Sequence, residues 1–313
     1  MSIASVLQSL DLPPRDPQSL PDSPKRFPDG AQYRIEIPST EGPACLQAVL
    51  EEARRHEVTV HRISQGTGVF LQTDGELDRM ARLAAETGVE ASLFARPGAG
   101  WSPSAMHAAP AGGGMAAVAR GQDQVVACLE DALRAADHGF RSVLITDVGV
   151  LSAFTELKRA GELPADMQAK ISVMLPVANP AAARVIQQLG ASTLNLPTDL
   201  TLHQIAAIRA AVDLPLDVYV EAPDNLGGFV RHHEIPELIR IASPVYVKFG
   251  LRNAPDLYPS GSHLEATAVA LSRERVRRAR LGLDLLRRSG VDVTTSALGV
   301  PDLAIPRLPL PTP

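Results

Sequence analysis

The sequence is poor in the residues that mark several common classes of protein. Its 313 residues include 2 cysteines, Cys45 and Cys128, and 1 tryptophan. Two thiols cannot complete a zinc or iron–sulfur site by themselves, and both lie in aliphatic, helix-like stretches. We therefore predict that both thiols are buried in the core and that the protein has no iron–sulfur cluster. A reduced, cytoplasmic location is expected.

Long apolar runs and an excess of positive charge are missing as well. No run approaches the roughly 20 apolar residues that span a bilayer, and the N-terminus lacks the basic-then-apolar pattern of a signal peptide. The formal net charge of −5 disfavours binding to a nucleic-acid backbone. We expect neither a membrane nor a nucleic-acid partner. The expected partner is a small-molecule substrate, and a homo-oligomer stays an option.

Between residues 31 and 290, β-like runs alternate with helix-like runs. The predicted strands are Tyr33–Pro38, Val58–Ser64, Val89–Arg96, Ser142–Asp147, Ala169–Leu175, Ser192–Leu196, Leu216–Ala222 and Val245–Phe249. This alternation is typical of a parallel sheet, and eight units favour a closed α/β fold, the (β/α)8 TIM barrel, as a single domain. No Gly-x-Gly-x-x-Gly motif follows the first strand, so no nucleotide cofactor is expected.

Several polar residues predict where helices begin. Asp74 is expected to cap a helix over Gly75–Thr87, and Asn179 to cap one that starts with Pro180. Thr201 and Gln204 have the spacing of a capping box.

Three segments lie outside this regular pattern. Residues 1–30 and the Pro-rich tail 291–313 are predicted to be extended arms. The connection 97–120, which contains Trp101, is longer than most loops and leaves the C-terminal end of the third strand, the catalytic face of such barrels. We predict a lid-like loop there, with an oligomer contact or plain disorder as alternatives.

Charged side chains fall on the interior face of three strands that neighbour one another in a closed barrel. The inward residues predicted by strand alternation are Arg34 and Glu36 on the first strand, Asp217, Tyr219 and Glu221 on the seventh, and Tyr246 and Lys248 on the eighth. Buried ionisable groups are costly unless they are paired or used. We therefore predict that Glu221, Lys248 and Glu36 are catalytic. Glu221 or Glu36 would be the general base, and Lys248, kept protonated by both carboxylates, would polarise a carbonyl.

The same alternation places further polar groups at the mouth of the barrel. His61 is predicted to face inward from the second strand, Ser92 and Arg96 from the third, and Asn195 from the sixth. Asp147 ends the fourth strand. Glu221, Glu36, His61 and Asp147 could hold a divalent metal, Mg, Mn or Zn, around which hydrolysis would be the chemistry. The alternative is a buried ion-pair network that only fills the barrel.

Two glycine-containing loops follow the seventh and eighth strands. Barrels commonly bind phosphate there through backbone N–H groups. Gly227, Gly228, Gly250 and Arg252 fit that pattern, and ordinary turns are the alternative. Together with Arg96, Asn195 and Tyr219 they form the predicted substrate-binding set.

Part of the chain resembles the collagenase-like peptidase family, unassigned peptidase family thirty-two. The resemblance rests on Gly190–Asn195, Asp199–Ile205 and Leu216–Glu221, about a fifth of the chain. It implies the barrel fold and a peptidase-like hydrolase as one activity. Family members follow the last segment with cysteines that hold an iron–sulfur cluster in several branches, whereas this chain continues with Ala222-Pro223-Asp224-Asn225.

These patterns predict an enzyme acting on a small anionic metabolite, a sugar acid or sugar phosphate. The expected reaction is proton transfer next to a carbonyl, as in lyases, isomerases and epimerases. A peptidase-like or metal-dependent hydrolase and a non-catalytic ligand-binding barrel are the alternatives, because fold by itself does not determine function.

Overall fold

A closed barrel of parallel strands forms the centre of the molecule, and this confirms the predicted (β/α)8 fold. The computed structural model describes residues 3–98 and 118–308. The strands are hydrogen-bonded in the order β1 to β8, and β8 closes on β1. Their bounds are β1 Tyr33–Pro38, β2 Arg62–Ser64, β3 Glu90–Phe94, β4 Ser142–Ile145, β5 Gln168–Ile171, β6 Thr193–Asn195, β7 Leu216–Glu221 and β8 Val245–Phe249.

Helices surround this barrel in the part of the chain that the structure describes. They are α1 Ile3–Ser9, α2 Pro43–Arg55, α3 Asp74–Thr87, α4 Gln122–Asp137, α5 Val148–Ala160, α6 Pro180–Gln188, α7 Leu202–Ala211, α8 Ile235–Ala242 and α9 Glu265–Ser289. The outward residues of the strands, such as Ile35, Val218 and Val247, are buried against these helices in one large apolar core. No helix within residues 3–98 and 118–308 has the length and apolar character to cross a membrane.

Side chains cap α3, α5, α6 and α7, with two corrections to the sequence prediction. Asn179 caps α6, and Thr201 with Gln204 forms the capping box of α7, as predicted. Asp74 is not a cap: it is the first residue of α3, and Thr73 caps that helix in a capping box with Glu76. Asp147 does not extend β4, because its side chain accepts a hydrogen bond from the N–H of Val150 at 3.0 Å and caps α5.

The two terminal arms cover the N-terminal end of the barrel. Thr295 bridges to Tyr33 at the start of β1, and the N–H of Gly299 bonds the carbonyl of Gly88 at 3.2 Å. From the other arm, the ring of Phe27 meets the ring of Tyr246 edge-on, with centroids 5.4 Å apart. The arms therefore close this end of the barrel.

Most of the predicted lid-like loop lies outside the described residues. Trp101 belongs to the part for which the structure gives no description, so the lid stays a prediction.

Candidate functional site

A cavity of about 480 Å³ opens at the C-terminal end of the barrel, the face where barrel enzymes place their active sites. Its polar lining residues are Ser39, Ser64, Gln65, Arg96, Ser172, Asn195, Tyr219, Asn225, Lys248, Asp256 and Tyr258. Its other lining residues are Pro38, Gly66, Phe94, Leu144, Val173, Met174, Pro223 and Leu226. A volume of this size fits a small organic molecule.

Lys248 is the cation at the base of this cavity. Its Nζ atom lies 3.0 Å from Oε1 of Glu36 and 2.8 Å from Oδ1 of Asn195. The ring of Tyr219 lies beside it, with its centroid 4.4 Å from Nζ. An ammonium group has three N–H donors; Lys248 donates one to Asn195 and forms an ion pair with Glu36. The protein thus orients the side chain, and within the described residues its contacts leave a donor for a ligand.

A network of buried charges lies below Lys248. Arg62 donates to Oε2 of Glu36 at 2.7 Å and to Oδ1 of Asp217 at 2.5 Å. Lys170 contacts the same two carboxylates, with Nζ 2.8 Å from Oε2 of Glu36. Every member is almost completely buried, so each charge depends on its partners for compensation.

Glu36 is the centre of this network and is held as a carboxylate. Burial raises the pKa of Glu36, but the charges of Arg62, Lys170 and Lys248 outweigh burial and hold the pKa well below its ordinary value. Its Oε1 atom also accepts a hydrogen bond from Ser64 at 2.7 Å. A carboxylate that is so strongly stabilised is a poor general base. The geometry therefore makes Glu36 a counter-ion that positions Lys248.

Arg62 and Lys170, the two other cations of this network, were not predicted from the sequence. Lys170 has the same alternation signal as the others, because it stands between the outward residues Ala169 and Ile171. Burial and the charge of Arg62 lower the pKa of Lys170 to about 8, and the charges of Asp217 and Glu36 oppose them. Arg62 was hidden by a one-residue error in the predicted face of β2.

The error is the predicted inward orientation of His61. Arg62, rather than His61, pairs with Glu36 across the ladder and points inward. The Nδ1 atom of His61 accepts a hydrogen bond from the N–H of Ile35 at 3.0 Å, and Nε2 contacts the carbonyl of Ser296 at 2.8 Å. His61 thus joins β1 to the C-terminal arm and lies outside the cavity lining.

The inward orientation predicted for Glu221 is wrong. Along β7 and β8, Tyr219 pairs with Lys248 but Glu221 pairs with Phe249, because one extra residue is accommodated between them as a β-bulge. Phe249 faces the helices, and Glu221 follows it: its Oε2 atom lies 3.2 Å from Nε2 of His232 and 3.7 Å from Nε of Arg278 on α9. Glu221 is therefore separated from the cavity.

The four predicted metal ligands do not come together. Glu36 lies in the barrel interior, Glu221 faces α9, His61 bonds the C-terminal arm and Asp147 caps α5. Within the described ranges, no three His, Cys, Asp or Glu side chains are grouped so that they could hold a metal ion. Two thiols, Cys45 and Cys128, are buried outside the cavity lining.

In the loops predicted to bind phosphate, the backbone N–H groups donate hydrogen bonds to the protein itself. The N–H groups of Gly227 and Gly228 bond the carbonyls of Asp224 and Pro223, and the N–H of Gly250 bonds the carbonyl of Glu221. The N–H of Arg252 donates to Oε1 of Glu221 at 3.1 Å.

The Arg252 side chain is likewise engaged. It is 60% exposed and lies 3.6 Å from the carboxylate of Asp224. Internal turn contacts thus replace the expected anion site. Gly227, Gly228, Gly250 and Arg252 are not part of the cavity lining.

Arg96 lies at the rim of the cavity and shapes it together with Tyr258. Its Nη1 atom donates to the carbonyl of Gly66 at 2.7 Å, and its guanidinium carbon lies 5.7 Å from the ring centroid of Tyr258. A side chain at Gly66 would place its Cβ 2.5 Å from the Tyr258 ring. Glycine is therefore required there, because the ring occupies the space of a side chain.

Comparisons with known proteins agree with the sequence resemblance. The model of peptidase family U32 matches residues 117–222. No curated protein matches this chain. A solved U32 peptidase is 16% identical, with a TM-score of 0.38 over 64% of this chain and 73% of that chain.

Two enzymes of other kinds are similar to this chain at the same low level. A putative lyase/mutase from Burkholderia cenocepacia is 18% identical, with a TM-score of 0.45 over 86% of this chain and 85% of the other. Oxaloacetate acetylhydrolase is 14% identical, with a TM-score of 0.45 over 86% of each chain. Likeness at this level says nothing about the reaction of this chain. The match to the model of peptidase family U32 is confined to residues 117–222, about a third of this chain.

Proposed function

We propose that the protein is an enzyme that binds a small anionic carbonyl compound in the cavity and moves a proton next to the carbonyl, as lyases and isomerases do. The observation that carries the proposal is Lys248, a buried lysine at the base of an open cavity. Its Nζ atom is fixed by Glu36 at 3.0 Å and by Asn195 at 2.8 Å. A pre-oriented cation of this kind suits the negative charge that develops on an oxygen during such a reaction.

In this proposal Lys248 donates a hydrogen bond to the carbonyl oxygen of the substrate. When the neighbouring C–H bond breaks, its electron pair moves toward the carbonyl and leaves an enolate oxygen, which the ammonium stabilises. Arg96 at the rim binds the anionic group of the substrate, since a guanidinium pairs well with a carboxylate. Lys248 keeps its own proton in this role, which distinguishes it from a Schiff-base lysine.

The proton acceptor has to be a residue other than the two glutamates predicted from the sequence. Glu36 is tied to three cations, and Glu221 contacts His232 and Arg278 outside the cavity. In the described part of the chain, the carboxylate that lines the cavity is Asp256, which accepts a hydrogen bond from the N–H of Tyr258 at 3.1 Å. We assign Asp256 as the proton acceptor.

The test combines binding with proton exchange in D₂O. Pyruvate, 2-oxogluconate and 3-phosphoglycerate are titrated calorimetrically, and exchange of the hydrogens beside each carbonyl is followed by NMR. We expect Lys248→Met to weaken binding by about tenfold or more, since a charged hydrogen bond contributes about 1.5–3 kcal/mol. Lys248→Arg, which keeps the charge but changes its shape, should slow exchange by roughly a hundredfold while binding persists.

Arg159→Met is the matched control, because Arg159 is exposed on α5 and pairs with Glu156. It should behave as the wild type in both measurements. If Lys248→Met binds these anions as tightly as the wild type does, the proposal is wrong.

The family match favours a second candidate, a peptidase-like hydrolase. This activity would require a nucleophile or a metal-bound water at the cavity. Peptide hydrolysis by the purified protein, measured with and without added Zn²⁺ or Mn²⁺, separates the two candidates. Hydrolysis that Lys248→Met leaves unchanged would favour the hydrolase at the expense of the first proposal.

A further inference from the structure

Polar and apolar side chains are unevenly distributed around the wall of the cavity. β8, β1 and β2, with the loops that follow them, contribute the polar residues Lys248, Ser39, Ser64, Gln65 and Tyr258. The large apolar side chains come from β3 to β7 and the loops that follow them, where they lie among the polar residues Arg96, Ser172, Asn195, Tyr219 and Asn225. Because the strands are ordered around a closed barrel, β4 lies across the mouth from β8, which carries Lys248.

We refer to five of these apolar side chains as the apolar half of the wall. Phe94 ends β3, Leu144 is an inward residue of β4, Val173 and Met174 follow β5, and Leu226 lies in the loop after β7. Phe94 and Leu144 are paired in the ladder, so their side chains are neighbours on the inner face.

Two polar groups beside these apolar side chains are engaged with the protein. Asn195 bonds the carbonyl of Ile171 at 3.0 Å and accepts from Lys248, and the Oγ atom of Ser172 accepts from the N–H of Met174 at 3.2 Å. A ligand body that packs against Leu144, Val173 and Met174 meets carbon atoms. A buried hydroxyl without a partner costs about 1–3 kcal/mol, so a sugar chain is poorly suited to this half.

We infer that the substrate is a carbonyl acid with an apolar body, a branched-chain or aryl 2-oxo acid, rather than a sugar acid or sugar phosphate. Its carbonyl contacts Lys248, its carboxylate contacts Arg96, and its body packs against Leu144, Met174 and Leu226. The inference rests on the proposed function, because it uses Lys248 and Arg96 to orient the head group. It names the substrate class that the same cavity selects.

The test is an affinity series with a constant head group. Pyruvate, 4-methyl-2-oxopentanoate and phenylpyruvate share the 2-oxo acid group and differ in the apolar body, while 2-oxogluconate carries a polar body. Each buried methylene contributes about 0.8 kcal/mol, or about fourfold in affinity. We expect 4-methyl-2-oxopentanoate and phenylpyruvate to bind at least about tenfold more tightly than pyruvate, and 2-oxogluconate to bind no more tightly than pyruvate.

Met174→Gln tests the apolar half without touching the head-group site. The substitution nearly keeps the side-chain length and replaces the thioether with an amide. It should reduce the advantage of phenylpyruvate over pyruvate by about fivefold or more. Val185→Gln is the matched control, because Val185 is 51% exposed on α6, away from the cavity. It should leave the whole series unchanged.

The outcomes separate this inference from the proposed function. If 2-oxogluconate or 3-phosphoglycerate binds best and its binding is lost in Lys248→Met, the anion site stands and the apolar-body inference is overturned. If none of the acids binds in a way that depends on Lys248, the proposed function itself fails. An advantage of phenylpyruvate that persists unchanged in Met174→Gln also overturns the inference.

Discussion

Lys248 and Glu36 show how a single ion pair can serve both the stability and the chemistry of a barrel. Glu36 has three cationic partners, so the loss of Lys248 would leave it paired with Arg62 and Lys170. Lys248 is the member of this cluster that lines the cavity. A substitution of Lys248 should therefore affect ligand binding more than it affects folding.

Because of the buried His61 side chain, we expect the protein to lose stability in mild acid. Burial lowers the pKa of His61 to about 4, and the nearby charge of Arg34 acts in the same direction, while a hydrogen bond to Ser296 and the charge of Asp29 oppose it. The unfolded chain, with an ordinary histidine pKa near 6.5, takes up its proton first as the pH falls. The free energy of unfolding should thus decrease by about 2 kcal/mol from this group between pH 8 and pH 5.

Urea denaturation of the wild type and of His61→Gln at both pH values isolates this contribution. Asp131, whose pKa is raised by burial to about 7, changes stability in the opposite direction over part of this range, but it is common to both proteins. The wild type should lose about 2 kcal/mol more than His61→Gln on acidification. An equal loss in the two proteins would show that His61 does not titrate as described.

At the scale of the elements, the end of β7 determines whether the carboxylate of Glu221 reaches the cavity. The bulge between Tyr219 and Glu221 shifts the pairing with β8 by one residue. Since side chains alternate across a strand, a shift of one residue turns every following side chain to the other face. Glu221 therefore contacts α9, and Tyr219 is the last inward residue of β7 next to Lys248.

The C-terminal arm should contribute measurably to stability through Asp302. Its Oδ1 atom accepts a hydrogen bond from Nη2 of the buried Arg34 at 2.9 Å, and its Oδ2 atom lies 2.9 Å from Nη1 in the same ion pair. Asp302→Asn would leave this guanidinium with the more distant carboxylate of Asp29, 3.9 Å away, and should lower the free energy of unfolding by about 2 kcal/mol. The exposed residue Asp292 on the same arm provides the control. Asp292→Asn should change stability by less than about 0.5 kcal/mol, and similar values for both variants would contradict the role given to Asp302.

At the scale of the whole molecule, the charge network joins strands that are far apart in sequence. Glu36 comes from β1, Arg62 from β2, Lys170 from β5 and Asp217 from β7. Their contacts cross the interior of the barrel as well as running along it. The network therefore requires the barrel to be closed, and it couples its two halves.

A double-mutant cycle on Arg62 and Asp217 measures this coupling. Arg62→Met and Asp217→Asn each remove one partner from a buried charge: Asp217 keeps Lys170 in the first variant, and Arg62 keeps Glu36 in the second. Each should lower the free energy of unfolding by about 3–5 kcal/mol. Together they should cost less than the sum, by about 0.5–3 kcal/mol, because each change removes a partner of the other residue. Arg62→Met combined with Asp74→Asn, an exposed position on α3, should be additive in urea denaturation. Additivity in both cycles would rule out the coupling.

The sequence by itself determined the barrel, the number and order of its strands, and the inward faces of β1, β6 and β8. Local alternation of polar and apolar residues carries this information, as Glu36, Asn195 and Lys248 show. Lys170 was predictable by the same rule, since it stands between two outward residues on β5.

Only the tertiary structure decided the rest of the site. The inward face of β2, and with it Arg62 in place of His61, depends on where the ladder with β1 begins. The orientation of Glu221 depends on a bulge that exists only through pairing with β8. The predicted phosphate site does not form because the N–H groups of Gly250, Arg252 and Asn253 donate hydrogen bonds to Glu221 and Asp224. In each case the physical reason is the same: pairing register and hydrogen-bond partners are set between distant segments, and periodicity along one strand does not contain them.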